Sequence, residues 1–581
     1  MSRIRRVALC LLMTACVAGH AGAEELGSSA MRGSGFFDTW SLFGAPGRIG
    51  WIPDVGDAAA PPATLAGLAF GSVRVVENTH PSDRPWPGLV AVRTPIAWFD
   101  TVSTAVGGEG AWQGFEAGLA TVTADPLGTV AVPDPTDRAV GMFSFVRGSS
   151  AEEQTSISIA RIDSLLPLRI DALSVKRGAI GSIEQSGRHL WGGSAGLQLG
   201  AHRFGASIAQ RGSGTALPSG EDESGTALTG DGSWTWQRAR DRMVLSVARG
   251  YHHLESAGNT LAPSRRDADQ LAADFDWSFD HASGSRGVRL AWRSDEVDRM
   301  TVGEAGVHSS EDAAWVAVRE QRALAGGSLT AALGGGWSRA LDQTSWAPSV
   351  AWSTQAGGFA VRAVGERIVT PVWSDLAPGA EPFLQKTWVG GIDLGRHGSG
   401  WAASLGGRAG VTDDRALVGR DAIEDLWLRR GVARDPESYA FQMVTGSLAA
   451  HGRWLSAGAE GFALGRPTAV AQPNIDPGYG GRGFVQTGFR VFANDLGVTI
   501  RIEGAGIGPR QSEATPSRTL PSFATVDAVI SATLADAIAT FTMRNLADQA
   551  QREVWIDPRT GVEALGPGRE MRFALTWRLF N

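Results

Sequence analysis

The residues with the most chemical reach are a histidine pair, two carboxylate clusters and a set of facing charges. His252-His253 is the most visible pair for a metal or a proton relay. Adjacent residues of a strand point to opposite faces, so the two converge on one ligand only if they sit in a turn. Glu221-Asp222-Glu223 and Asp413-Asp414 offer hard oxygen ligands of the kind Ca²⁺ or an iron chelate prefers. They are expected in turns or loops as solvated charge. Asp274, Asp276 and Asp280 share one face of an alternating run, and Arg289 and Arg293 on the next run stand ready to pair with them. Such cross-strand pairs set stability and local potential rather than catalysis. No HExxH or phosphate-loop motif is present. The two cysteines, Cys10 and Cys16, both lie near the start, which excludes a thiolate zinc site further on. The sequence therefore provides no catalytic set, no cofactor-binding set and no metal set, and the chain is expected not to be an enzyme.

The elements that would position these charges begin with an export signal. Arg3, Arg5 and Arg6 precede the apolar run from Val7 to Gly19, and Ala21-Gly22-Ala23 is a small-x-small cleavage site before Glu24. Residues 1–23 are expected to be removed between Ala23 and Glu24. Lipoprotein processing at Cys16 is the weaker alternative, because Met13-Thr14-Ala15 fits a lipobox poorly. The rest of the chain lacks cysteine and must be held by its core or by a closed hydrogen-bond network. Mean hydropathy of −0.07 excludes a bundle of apolar spanning helices. A net charge of −7 leaves no footprint for nucleic acid. Positive charge is almost all arginine, with lysine only at Lys176 and Lys386.

The body alternates with period two. Phe275, Trp277 and Phe279 oppose Asp274, Asp276, Ser278 and Asp280; Val288, Leu290 and Trp292 oppose Arg289, Ala291 and Arg293; Leu496, Val498, Ile500 and Ile502 oppose Gly497, Thr499, Arg501 and Glu503. Polar faces rich in Arg, Asp and Glu suit a wet lumen. Aromatic residues near strand ends, such as Trp234, Trp236, Trp388 and Trp577, suit the girdles of a membrane barrel. In lipid every backbone group must be paired, which a closed sheet achieves. The expected fold is all-β: a transmembrane antiparallel β-barrel of about 22 strands over residues 111–581. Residues 24–110, rich in Gly, Pro and Ala with little alternation, are expected as a small region in the lumen. Residues 419–432 read as a short amphipathic helix within a long extracellular loop.

At its C-terminus the sequence resembles the TonB-dependent outer-membrane receptors. Phe541 to Arg544 followed by Asn545-Leu546-Ala547-Asp548 looks like the family's penultimate strand and its Asn-Leu-x-Asp motif. Gly568 to Leu579 looks like its last strand, with Met571, Phe573, Leu575, Trp577 and Leu579 forming an unbroken lipid-facing phase. Met31-Arg32-Gly33 is similar to the family's Ile-Arg-Gly element, and Pro87 to Thr94, including Gly88, Val90, Val92 and Thr94, resembles the element that closes the plug. The resemblance implies a barrel with an N-terminal plug, importing a scarce nutrient such as a siderophore, vitamin or saccharide. It also implies as partners the outer-membrane lipid, the barrel-assembly machinery and TonB, in a monomer. No segment before Met31 reads as a TonB box, so the resemblance supports architecture more than energised coupling. A passive porin-like channel is the alternative, with a barrel enzyme ranked after it.

Overall fold

The computed structural model describes residues 73–77, 80–81, 99–106, 110–116, 120–126 and, apart from stretches within the connections, 139–579. The described residues form a closed barrel of 22 antiparallel strands, each paired with the next in the chain. The final strand, Glu570–Leu579, closes the ring by pairing with the first, Ala139–Gly148. This is the strand number expected from the alternation. A separate four-stranded sheet is built from Val73–Glu77, His80–Pro81, Phe99–Val106 and Ala120–Pro126.

One end of the barrel carries two-residue turns, as at Gly200-Ala201, Ala325-Gly326, Gly357-Gly358 and Ala535-Asp536. The other end carries the long connections, the ordinary asymmetry of outer-membrane barrels. The wall is uneven in height. Five consecutive strands, Glu221–Arg238, Asp241–Gly258, Ser264–His281, Gly284–Thr301 and Val307–Leu324, have 18 residues each, whereas Glu570–Leu579 has 10. Eighteen tilted residues rise roughly 45 Å, well beyond an apolar band of about 25 Å.

Burial inverts the pattern of a soluble sandwich. Leu290 and Trp292 are 44% and 42% exposed on the outer face, while their neighbours Arg289 and Arg293 are 9% and 7% exposed on the inner one. Ile502 points out and Glu503 in, in the same way. A charged interior with an apolar exterior is stable only where the exterior faces hydrocarbon. Aromatic side chains mark both edges of that exterior: Phe204, Trp401 and Trp577 near the short turns, Trp346 and Trp388 nearer the long connections.

Three sequence expectations are corrected. The barrel starts at Ala139 rather than 111, and strand Ala120–Pro126 belongs to the small sheet. Period-two alternation is the same in both settings, so it could not separate them. Glu221-Asp222-Glu223 opens an 18-residue strand instead of lying in a loop, and Asp413 ends strand Trp401–Asp413. At the ends of the expected helix over 419–432, Gly419 pairs with Gly431 and Val418 with Val432 in a β-hairpin; residues 420–430 lie outside the described residues.

Candidate functional site in the barrel lumen

One turn of helix, Gly110–Gln113, continues as a 3-10 turn, Gly114–Glu116, and packs on the inner wall. It lies against strands Val307–Leu324, Gly327–Ser338, Gln343–Ala356 and Phe359–Val372. Too short to hold itself in water, such a helix depends on its docking surface. Its backbone groups are taken up by the wall. The Gly110 amide donates to Glu366 Oε2 at 2.8 Å, the Trp315 indole donates to the Ala111 carbonyl at 3.0 Å, and Arg289 Nη1 donates to the Trp112 carbonyl at 3.2 Å. Free ends of this kind must be satisfied somewhere, and here the barrel does so.

The apolar side of the segment fits the same patch. Trp112 and Phe115 join Ala313, Trp315, Ala317, Leu341, Ala347, Val369 and Leu384 in one buried cluster. Phe115 meets Trp315 edge-on, centroids 4.9 Å apart, and Arg319 sits 4.2 Å over the Trp112 ring. Two glycines make the close approach possible. Gly114 has φ +66°, and a Cβ there would lie 2.3 Å from the Trp315 ring. At Gly334 a Cβ would lie 2.3 Å from the Ala111 carbonyl oxygen.

Charge surrounds this contact. Arg289 is fixed by Asp274, with Nε and Nη2 at 3.1 and 2.7 Å from Oδ1. Arg293 binds Asp295 at 2.7 Å on its own strand, and Ser338 donates to Glu311 at 2.6 Å. The expected pairing of the Asp274 face with Arg289 is present; Arg293 finds the carboxylate two residues on. Further round the lumen stand Arg408 with Asp393, Arg482 with Glu460, Arg501 with Glu503, and Arg544 with Glu570. Paired charges of this sort contribute little net stability, since desolvation offsets attraction. They line the lumen with positive and negative charge side by side.

The other sequence candidates fall elsewhere. His252 and His253 are consecutive positions of a strand, not of a turn, and His253 is bound by Asp267 at 2.7 Å and Glu255 at 3.1 Å. This group belongs to a collar on the tall wall, with Tyr251 and Arg265 also on Asp267. Burial pushes the Asp267 carboxyl up, but hydrogen bonds from Arg265, His253 and Tyr251 outweigh it and hold the group at about 2. Among the described residues no group of three His, Cys, Asp or Glu could hold a metal ion. Ala23, Glu24, Met31, Arg32, Gly33, Gly88, Val90, Val92 and Thr94 lie outside the described residues. In the closing strand, Met571, Phe573 and Trp577 are exposed on the outer face, and Leu575 and Leu579 share their phase. The sequence reading missed Trp112, Trp315, Arg319 and Glu366. Only Glu366, a lone carboxylate within the apolar run Phe359–Val372, carried a signal.

The Asn-Leu-x-Asp motif has a structural role. Asn545 is fully buried with φ +49°; its amide donates to Asp527 Oδ1 at 2.7 Å, and its side chain bonds the Gln549 backbone in both directions. Asp548 Oδ1 accepts from the Arg569 amide at 2.6 Å, and Arg569 Nη2 donates to the Leu546 carbonyl at 2.9 Å. The motif ties the penultimate strand to the last across the neck of a long connection.

This architecture has solved relatives. The FrpB iron transporter from Neisseria meningitidis superposes with a TM-score of 0.73 at 10% identity, covering 89% of this chain and 93% of that one. The fold is that of the TonB-dependent receptors. The siderophore receptor PirA from Acinetobacter baumannii gives 0.71 at 11% identity over 90% and 94%, and the copper transporter OprC gives 0.76 at 10% over 90% and 93%. No family model and no curated protein matches the sequence. At these identities the TonB-dependent-receptor fold is shared while side chains have diverged, so the lumen has to be read on its own residues.

Proposed function

We propose that this chain is an outer-membrane receptor that imports a scarce nutrient, with the segment around Trp112 acting as part of a plug. The observation that carries this reading is that segment, bound through its backbone to Glu366, Trp315 and Arg289 on the lumenal wall of a 22-strand barrel. The apolar outer face supports the membrane setting, and FrpB, PirA and OprC, as transporters and a receptor, support import rather than catalysis. Their cargoes, iron, siderophore and copper, favour a metal or its chelate as the nutrient class here. Substrate would bind between the long connections and the N-terminal region, and passage would require the wall to release the segment. The shared fold supports TonB as the energising partner.

The test is growth of a deletion strain on defined scarce nutrients, with uptake restored by the gene in the presence and absence of TonB. A nutrient whose uptake needs both confirms coupled import. A steady open conductance of the purified barrel in planar bilayers would instead establish a passive porin.

A further inference from the structure

Trp112 lies where two opposite charges would otherwise meet. On the inner face of the wall, Ser278, Gly287 and Arg319 form one rung across three neighbouring strands, and Asp276, Arg289 and Ala317 form the next. The Trp112 ring lies over the glycine of the first rung: a Cβ on Gly287 would be 3.0 Å from its Cη2 and 3.6 Å from its Cζ3. Arg319 covers the same ring at 4.2 Å. The indole thus fills the space between the Arg319 guanidinium and the strand that carries Asp276.

Asp276 has charge around it but no bond. Its register partner Arg289 is turned to the diagonal neighbour Asp274 through Nε and Nη2, and to the Trp112 carbonyl through Nη1. Arg289, Arg319 and Arg242 attract the Asp276 carboxylate, and Asp274 opposes them. Among the described residues no hydrogen bond reaches that carboxylate and none leaves Arg319. Arg319 faces an aromatic ring and keeps its donors for a carboxylate. The backbones of Asp276 and Arg319 stand about 12 Å apart by strand spacing and rise, a span that the two side chains bridge once the ring is gone.

We propose that Asp276 is the second partner of Arg319, taken up when the lumenal segment leaves the wall. In the docked state Arg319 holds the Trp112 ring. In the released state it swings across Gly287 and donates a charge-assisted hydrogen bond to Asp276. That bond offsets part of the cost of uncovering the wall, so the wall has two arrangements rather than one. Asp276 is a gating residue for passage and acts through Arg319. This deepens the import reading above and rests on the segment being part of a plug.

The experiment follows a thiol at Ala317, 1% exposed in the cluster with Trp112, in the purified barrel with its N-terminal region. The rate at which a charged maleimide labels A317C reports the released fraction. Removing an acid beside arginines would ordinarily loosen a structure. Here Asp276→Asn should do the opposite and slow labelling about fivefold, the factor that one partly exposed ion pair supplies to the released state. Asp276→Glu keeps the carboxylate and should label at the wild-type rate. In an Arg319→Gln background D276N should have no effect. Unchanged or faster labelling in D276N overturns the proposal, and so does equal slowing in the presence of R319Q. Heat-modifiable gel migration checks that each variant is a folded barrel. Trp112→Ala separates this idea from the plug reading. If W112A fails to speed labelling, the plug reading fails; if W112A speeds it and D276N does not slow it, only the role of Asp276 fails.

Discussion

Replacing Trp112 with alanine should loosen the lumenal segment while leaving the barrel intact. Trp112 contributes its ring to the cluster with Phe115, Trp315 and Ala317, and it lies under Arg319 at 4.2 Å. Truncating a buried Trp costs about 3–5 kcal/mol. Loss of the cation–π contact adds roughly 0.5–2 kcal/mol. The hydrogen bonds from Trp315 and Arg289 go to backbone carbonyls and survive the change. A net shift on the order of 4 kcal/mol would raise the released fraction about a thousandfold. Ala317, 1% exposed in the same cluster, provides the reporter. The only natural cysteines, Cys10 and Cys16, precede residue 24, so Ala317→Cys supplies the thiol to follow. Labelling of A317C by a charged maleimide should be slow, and W112A should speed it by up to a thousandfold, limited by the rate at a free thiol. Unchanged labelling in W112A, with normal heat-modifiable migration, would refute the idea that this segment shields the wall.

Other consequences are open to direct measurement. Gly334→Ala places a methyl 2.3 Å from the Ala111 carbonyl oxygen and should release the segment as W112A does, read by the same A317C labelling. Asn545→Ala removes the side-chain bonds to the Gln549 backbone and strains φ +49°; a loss of about 1–3 kcal/mol in urea unfolding is expected. Asp267 is depressed from 3.8 to about 2 in the folded state, so its contribution is present above pH 4 and lost as pH falls through about 2. Amide protection at the top of strands Asp241–Gly258 and Ser264–His281, taken relative to the intrinsic exchange rate at each pH, should fall as pH drops through that window and stay flat above it.

The barrel was legible because its code is local. Val288 to Arg293 alternates within six residues, and each face announces its surroundings: Leu290 and Trp292 for lipid, Arg289 and Arg293 for the lumen. The Asn545-Leu546-Ala547-Asp548 motif was legible because its hydrogen bonds act on a fixed neck between two strands. Alternation fails above the membrane, where both faces of a strand meet water; this is why Glu221-Asp222-Glu223 read as a loop. The lumenal segment was hidden for a different reason. Its partners Arg289, Trp315 and Glu366 stand 177, 204 and 256 residues away, and nothing in Gly110-Ala111-Trp112-Gln113-Gly114 names them.

The seam between Ala139–Gly148 and Glu570–Leu579 sets the order in which the molecule can be made. Its two edges are separated by more than 400 residues, as the bond from the Ser149 amide to the Met571 carbonyl illustrates. Until Glu570–Leu579 has left the ribosome and crossed the inner membrane, both edges are open β templates with nothing of their own to pair. Folding cannot finish from the N-terminus onward, and the growing sheet has to be shielded while it waits. The seam then closes on 8 register pairs, against 18 between Glu221–Arg238 and Asp241–Gly258. What is zipped last is also among the shortest zips, 8 pairs beside the 7 between Phe523–Leu534 and Ala537–Arg544, so unfolding should start in this short-strand sector, where the first and last barrel strands meet.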